Sequence, residues 1–243
     1  WVEYTDRLIL TSFSPALSEI SGLLGEQAGL SIDTLIRNDL TDGATTDFAG
    51  GATARTNIDN TNDVISFQDI IQNVAQLETQ NALPLQGMFY VAICHPHTWA
   101  TLMQDSTFVT LFTREGGEAL RNGRLGTILN VEFYVSSNAR IYAAGGTGSI
   151  DVYDMLFLGK EAYVTAGLTG LFPNLSAEGG GTMVRGGMTG KKVNVVEVIV
   201  KDLGEGGVDP LNQRGTVGWK VTNANTVLNA NWMRNLEHAT DFS

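Results

Sequence analysis

Leu17, Ile20, Leu24, Ala28, Ile32, Leu35 and Ile36 recur at steps of three and four, the spacing that lines apolar side chains along one face of an α-helix. Ser14 before Pro15 reads as an N-cap followed by the first helical position. Asp42-Gly43 reads as the stop. A helix over residues 15–41 would be roughly 40 Å long at a rise of about 1.5 Å per residue. That is long for a domain built from a chain of 243 residues. Something extended must therefore lie against its apolar face.

The segments around it read as mixed α and β. The opening WVEYTDRLILT is rich in aromatic and branched side chains and predicts a strand over residues 1–11. Residues 43–63 are small, polar and glycine-rich, which predicts a loop or irregular excursion. Ser66, with Asp69 at the third position, predicts a capped helix whose inner face is Phe67, Ile70, Ile71, Val74 and Leu77. MFYVAIC ending at Cys94, VEFYV at 131–135, VYDMLFLG at 152–159 and VNVVEVIVKD at 193–202 predict strands, and the tail from about 215 to 233 predicts one or two more. No internal repeat is visible. Strand, long helix, helix, then mixed elements point to an α+β architecture.

Composition narrows the function classes. With 43% hydrophobic and 17% charged residues the chain is globular. One cysteine excludes an internal disulfide framework, and no apolar run approaches the roughly 18 residues needed to span a bilayer. The net charge is −11 and the longest basic cluster is Lys191-Lys192, whereas a protein that grips nucleic acid needs a basic face. The sequence opens on WVEYTDRL without a methionine, so the expectation is a processed product or part of a longer chain.

The motifs that suggest chemistry are weak. VAICHPHTWATLM places Cys94 beside His95 and His97, but a zinc site wants about three or four Cys/His ligands in suitable spacing. Cys94 closes an apolar strand, and Pro96 suits the first turn of a helix with Trp99, Leu102 and Met103 inward, so a strand-to-helix connector accounts for the stretch. EGGGTMVRGGMTGKK at 178–192 lacks a phosphate loop's spacing, because position 185 is Arg and Lys192 stands where Ser or Thr belongs. Asp59, Thr61 and Asp63 alternate like the start of a calcium loop, but the glycine at its sixth position and the later glutamate are missing. Asp202, Glu205 and Asp209 sit in a glycine-rich linkage that does not position them as an acid–base pair. No catalytic residue, cofactor or metal ligand emerges, and the expectation is a protein that is not an enzyme.

One segment is more distinctive. In DPLNQRGTVGWK, residues 209–220, Asp209-Pro210 starts a turn, Arg214-Gly215 ends it, and Val217, Trp219 and Val221 alternate onto one face. This stretch resembles the closing signature of the major capsid proteins of tailed phages, specifically the N-four-like coat protein family. LGEQAGLSIDTLIRNDL at 24–40, AICHPHTW at 92–99, GRLGTILNVEFYVSSNA at 123–139 and VYDMLFLGKEAYVTAGL at 152–168 resemble further segments of that family in the same order. The resemblance implies the Hong Kong 97 capsid fold. It places a peripheral domain with its spine helix (about 15–41) in residues 1–65, an axial domain in 66–191, and strands returning beside the spine in 192–243. The family carries an arm and an extended loop ahead of the spine, where this sequence has only about 14 residues.

What the resemblance implies for function is self-assembly. Identical chains would form hexamers and pentamers that tile an icosahedral head around double-stranded DNA, enclosed without sequence-specific binding. Decoration, portal and scaffold proteins are the further partners, with no membrane; the protein would be made in the host bacterial cytoplasm and end in the virion. Subunit contacts are expected at residues 43–63 and 178–190 and at Asp209, Arg214 and Lys220. Arg214 would either pair with a neighbour's carboxylate or cap its own turn, while Trp219 reads as core. The rival readings are an encapsulin-type bacterial compartment with the same fold, and a hydrolase or metalloenzyme built on Cys94–His97.

Overall fold

The computed structural model describes residues 1–12, 16–85, 87–110, 127–128, 130–167, 196–203, 211–221 and 223–242. The expected single strand over residues 1–11 is shorter than its composition implied. Strand β1 (Val2–Thr5) stops where the Thr5 hydroxyl accepts a hydrogen bond from the Leu8 N–H at 3.3 Å and caps helix α1 (Asp6–Thr11). Asp6 in the first turn favours the helix through its dipole, and local capping outweighs the β-propensity of the leucines and isoleucine that follow. The striped segment forms helix α2 (Ala16–Gly43) and stops at the expected glycine; its expected cap, Ser14-Pro15, lies outside the described residues.

The stretch 43–63 is more ordered than a loop. It holds strand β2 (Thr45–Phe48) and two 3-10 turns. Gly50 sits at φ 65°, where a Cβ would collide with the Asp63 carboxylate. Asp59 accepts from the Thr61 and Asn62 N–H groups at 2.8 and 2.6 Å, so its carboxylate closes a turn. Ser66 then closes a capping box on helix α3 (Phe67–Thr79), with the Asp69 carboxylate accepting from the Ser66 N–H at 2.9 Å. The expected strand-to-helix connector follows as strand β3 (Tyr90–Cys94) and helix α4 (Pro96–Leu102). Next come β4 (Thr127–Ile128), β5 (Val131–Val135), β6 (Ile141–Tyr142), β7 (Val152–Leu158) and β8 (Tyr163–Gly167). The expected strand at 193–202 is β9 (Glu197–Lys201). The tail carries β10 (Arg214–Lys220) and β11 (Asn223–Val227), then β12 (Met233–His238).

The chain divides into two compact units, Trp1–Leu35 with Thr165–Asn225, and Ile36–Val164 with Thr226–Ser243. Residues 36–65 thus fall in the same unit as 66–164. In the first unit β10 lies between β1 and β9 in an antiparallel three-stranded sheet. Tyr4, Val217, Val198 and Trp219 on one face of that sheet pack against Leu17, Ile20 and Leu24 of α2. This sheet is the extended partner that the helix's apolar stripe required. Gly215 is obligatory there, since any Cβ would overlap the Tyr4 ring.

The second unit is built on a sheet of order β2-β12-β7-β3-β5-β4, with β6 also paired to β7. β12 pairs parallel with β2 and antiparallel with β7. One face carries α3, α4 and an aromatic core of Phe67, Phe108, Phe133 and Phe157. The other packs Leu156, Leu158 and Met233 against Ile36 and Leu40 of α2. With helices on both faces, all seven residues of β7 and all six of β12 are buried.

Candidate functional site

The corner around Cys94 holds the chemistry-bearing side chains that the sequence brings together. Cys94 ends β3 fully buried, and burial pushes its thiol up to about 12. A thiol in that state is not a nucleophile near neutral pH. His95 caps α4, its ring nitrogen accepting from the His97 N–H at 3.2 Å. His97 Nδ1 shares a hydrogen bond of 2.9 Å with the Tyr153 hydroxyl and stacks on Phe242 with ring centres 5.0 Å apart. His238 is fully buried, and its Nε2 shares a hydrogen bond of 2.8 Å with the Thr98 hydroxyl. Burial lowers the His238 pKa to about 4, which keeps the ring neutral.

Each histidine therefore fixes a local element: a helix start, an aromatic stack, a strand-to-helix tie. Among the described residues no group of three or more His, Cys, Asp or Glu side chains is placed to hold a metal ion. Cys94→Ser will lower the subunit's stability by about 1–3 kcal/mol, the usual consequence of burying an unpartnered hydroxyl. Urea unfolding followed by tryptophan fluorescence measures this; assembly of the variant is expected to match the parent.

A second cluster was not visible in the sequence. Glu237 on β12 and Asp154 on β7 stand directly opposite each other and are 1% and 2% exposed. Arg55, from the 3-10 turn at 55–57, forks onto Glu237 with contacts of 2.7 and 2.6 Å. Its guanidinium lies 3.3 Å above the centre of the Tyr142 ring, and Arg140 approaches the same ring at 4.6 Å while pairing with Asp42. Asp154 has no such cation, and neither of its oxygens meets hydrogen-bond geometry. Burial, reinforced by Glu237, raises its pKa to about 7, while Arg140, Arg55 and the Asn235 amide pull it down less strongly. Two shallow grooves, one lined by Trp1, Ile199 and Gly218 and the other by Ile20 and Leu24, are formed by residues of the first unit, and neither includes Asp154 or Glu237. The pair is an internal ion cluster, not an open acid–base site. The one clue the sequence offered was an aspartate inside the apolar run VYDMLFL.

The residues expected at contacts divide as follows. Asp209 and the segment 178–190 lie outside the described residues. Arg214 and Lys220 open and close β10 on the sheet face turned away from α2, and Arg214 pairs with Glu3 of its own chain at 3.2 Å. Trp219 packs against the α2 side, as its alternation with Val217 implies.

Comparison with known proteins gives these likenesses. A family model described as phage capsid protein matches residues 1–232. Among solved structures, the capsid of Ralstonia phage GP4 matches with a TM-score of 0.66 and 14% identity, over 99% of this chain and 73% of that one. The capsid structure of the cyanophage P-SCSP1u matches with a TM-score of 0.64 and 14% identity, over 99% and 71%. The SrpI encapsulin complex from Synechococcus elongatus PCC 7942 matches with a TM-score of 0.56 and 13% identity, over 98% and 72%. No curated protein matches the chain.

Proposed function

The chain belongs to the phage capsid protein family, with a fold of the Hong Kong 97 capsid type, and from that premise we propose how it builds a shell. It is a major capsid protein whose copies close into hexamers and pentamers, and these tile an icosahedral head around double-stranded DNA. The observation that carries this reading is the family match over residues 1–232. A structural role agrees with a Glu237–Asp154 pair that is buried and a His95, His97 and His238 set that ties local elements together. Among the described residues no helix is long and apolar enough to cross a membrane.

In the proposed assignment the first unit, with the three-stranded sheet and residues 16–35 of the spine helix, supplies the peripheral domain, and the second unit, which takes in the last turns of that helix, supplies the axial domain. Asp209, Arg214 and Lys220 are kept as contact residues. The net charge of −11 suits a container that holds DNA without gripping it. Portal, scaffold and decoration proteins are the further partners, and synthesis in the host bacterial cytoplasm precedes incorporation into the virion.

Negative-stain microscopy with light scattering tests the proposal. Uniform shells, or rings of five and six subunits, are expected from the full-length protein, whereas a monomer at every concentration would sink the reading. The likeness to the encapsulin at a TM-score of 0.56 supports a second reading, a bacterial compartment shell. Terminase and portal genes beside this one decide for the phage head, and a cargo-enzyme gene decides for the compartment.

A further inference from the structure

We propose that His95 is a pH-operated cap: acid removes it from the start of α4 and loosens the segment that follows β12, residues 239–242. The device lies within the second unit and stands with or without the shell reading.

The geometry follows from what α4 needs at its first turn. Pro96 occupies the first helical position and has no N–H to offer, so the His97 N–H is the first donor of the helix. The His95 ring accepts it through Nδ1 at 3.2 Å. That bond needs a lone pair on Nδ1, hence a neutral ring whose own proton sits on Nε2. Serine, threonine or asparagine would cap the same turn at any ordinary pH. Histidine is the side chain whose lone pair a proton takes near and below neutrality. The proton goes to Nδ1, the ring becomes a donor at both nitrogens, and the His97 N–H loses its acceptor.

Two further effects act in the same direction. The first turn of a helix carries partial positive charge, so an imidazolium there is disfavoured. The His97 ring stands 4.8 Å from the His95 ring, centre to centre, so protons on both repel. Burial, then His97, hold the His95 pKa below the ordinary 6.5, so the capped state is intact above that value and is lost as pH falls through the lowered one. The other titratable groups of the corner are Tyr153, whose ring lies 5.3 Å from His95, with Asp151 ahead of β7 and His238 and Asp241 at the end of the chain. Asp151 accepts from the Ala144 N–H at 2.9 Å, and His238 is tied to Thr98. Asp241 is exposed, so water and salt screen its pull on the ring.

The first turn of α4 also supports residues 239–242. The His97 ring, hydrogen-bonded to Tyr153, stacks on Phe242, and further along the helix the Thr101 hydroxyl accepts from the Asp241 N–H at 3.2 Å. The Tyr153 hydroxyl can donate or accept, so its bond survives a proton on His97, and the His95 cap is the part that switches. When that turn frays, His97 leaves Tyr153 and Phe242, and the segment loses support on that side.

Amide exchange of the full-length protein, read by mass spectrometry between about pH 7.5 and about pH 5 and corrected for the intrinsic pH dependence of exchange, tests the cap. Peptides covering residues 95–103 and 236–242 are expected to lose about fivefold in protection over that range, the scale of a lost N-cap. Peptides of α3 are expected to keep theirs. His95→Asn supplies an acceptor that no proton removes, and is expected to abolish the pH dependence in both segments. His95→Ser takes its place if the asparagine variant lacks native circular dichroism. A parent whose protection at 95–103 is flat, a variant with the parent's slope, or a loss shared equally by α3 would overturn the proposal. Loss at 95–103 with none at 236–242 would overturn the coupling to the end of the chain. A slope that survives in His95→Asn and vanishes in His238→Gln would assign the opening to the buried His238–Thr98 tie, and also overturn the proposal.

Discussion

The stability advantage of Asp154→Asn over the parent subunit will grow with pH, by on the order of 4 kcal/mol between about pH 4 and pH 8. The sign follows from the two states of the carboxyl. Unfolded, Asp154 titrates at the ordinary carboxylate value of 3.8; folded, burial and the facing Glu237 raise it to about 7. Over that window the folded state holds a proton that the unfolded state has released, so the parent loses stability as pH rises. Asparagine keeps the neutral shape and has no proton to lose.

His238 runs the opposite way. Its folded pKa of about 4 lies below the ordinary 6.5, so it contributes stability that is lost as pH falls through the same region. In the parent the two slopes oppose each other between about pH 4 and 6.5, and their sum is nearly flat. Asp154→Asn leaves the His238 slope uncovered, on the order of 3 kcal/mol across that window. His238→Gln leaves the Asp154 slope instead. Urea unfolding of subunits at half-unit pH steps measures both, and a difference between variant and parent that does not change with pH would refute the account.

Arg55→Met will destabilise the subunit by about 3 kcal/mol, through the uncompensated carboxylate it leaves behind. Glu237 is 1% exposed, and its carboxylate accepts both hydrogen bonds of the Arg55 fork. The expected cost sits at the low end for a broken buried pair because the Arg55 side chain is 38% exposed. The removed guanidinium also stacks on Tyr142, a contact that the methionine thioether partly replaces. The double variant Arg55→Met/Glu237→Leu is expected to be more stable than Arg55→Met alone, because it removes the stranded charge together with its partner. Additive losses in the two singles and the double would show that packing around Tyr142, and not the ion pair, holds the 3-10 turn in place.

Local signals were legible in the sequence and long-range pairings were not. The apolar stripe from Leu17 to Ile36 located α2 within about two residues at each end, because the period belongs to the segment itself. Ser66 with Asp69, and Pro96 after His95, marked helix starts for the same reason. β1 and α1 were read as one strand because the Thr5 cap competes locally with branched side chains, and composition cannot weigh the two. β2 was missed because TTDF becomes a strand only by lying parallel to β12, far along the chain. Arg55 and Glu237 look like ordinary surface residues, and Asp154 stands out only by its apolar neighbours, until the register of β12 on β7 sets two carboxyls face to face. For the contact residues, alternation located Trp219 on the inner face and so implied the outward direction of Arg214 and Lys220. The groove between Trp1 and Ile199 depended on the order β1-β10-β9, which no short stretch encodes.

The position of β12 also has a consequence for synthesis on the ribosome. Residues 233–238 form the strand that lies between β2 and β7, so the strand that joins β2 to the rest of the large sheet is the last of its strands to be made. Until residue 238 has emerged, β2 lacks its partner and one edge of β7 stays unpaired. Such an edge is open to a neighbouring nascent chain on the same polysome. A coat protein must be made in many copies at once, and this topology makes each copy depend on holding the β7 edge in check until its own β12 arrives.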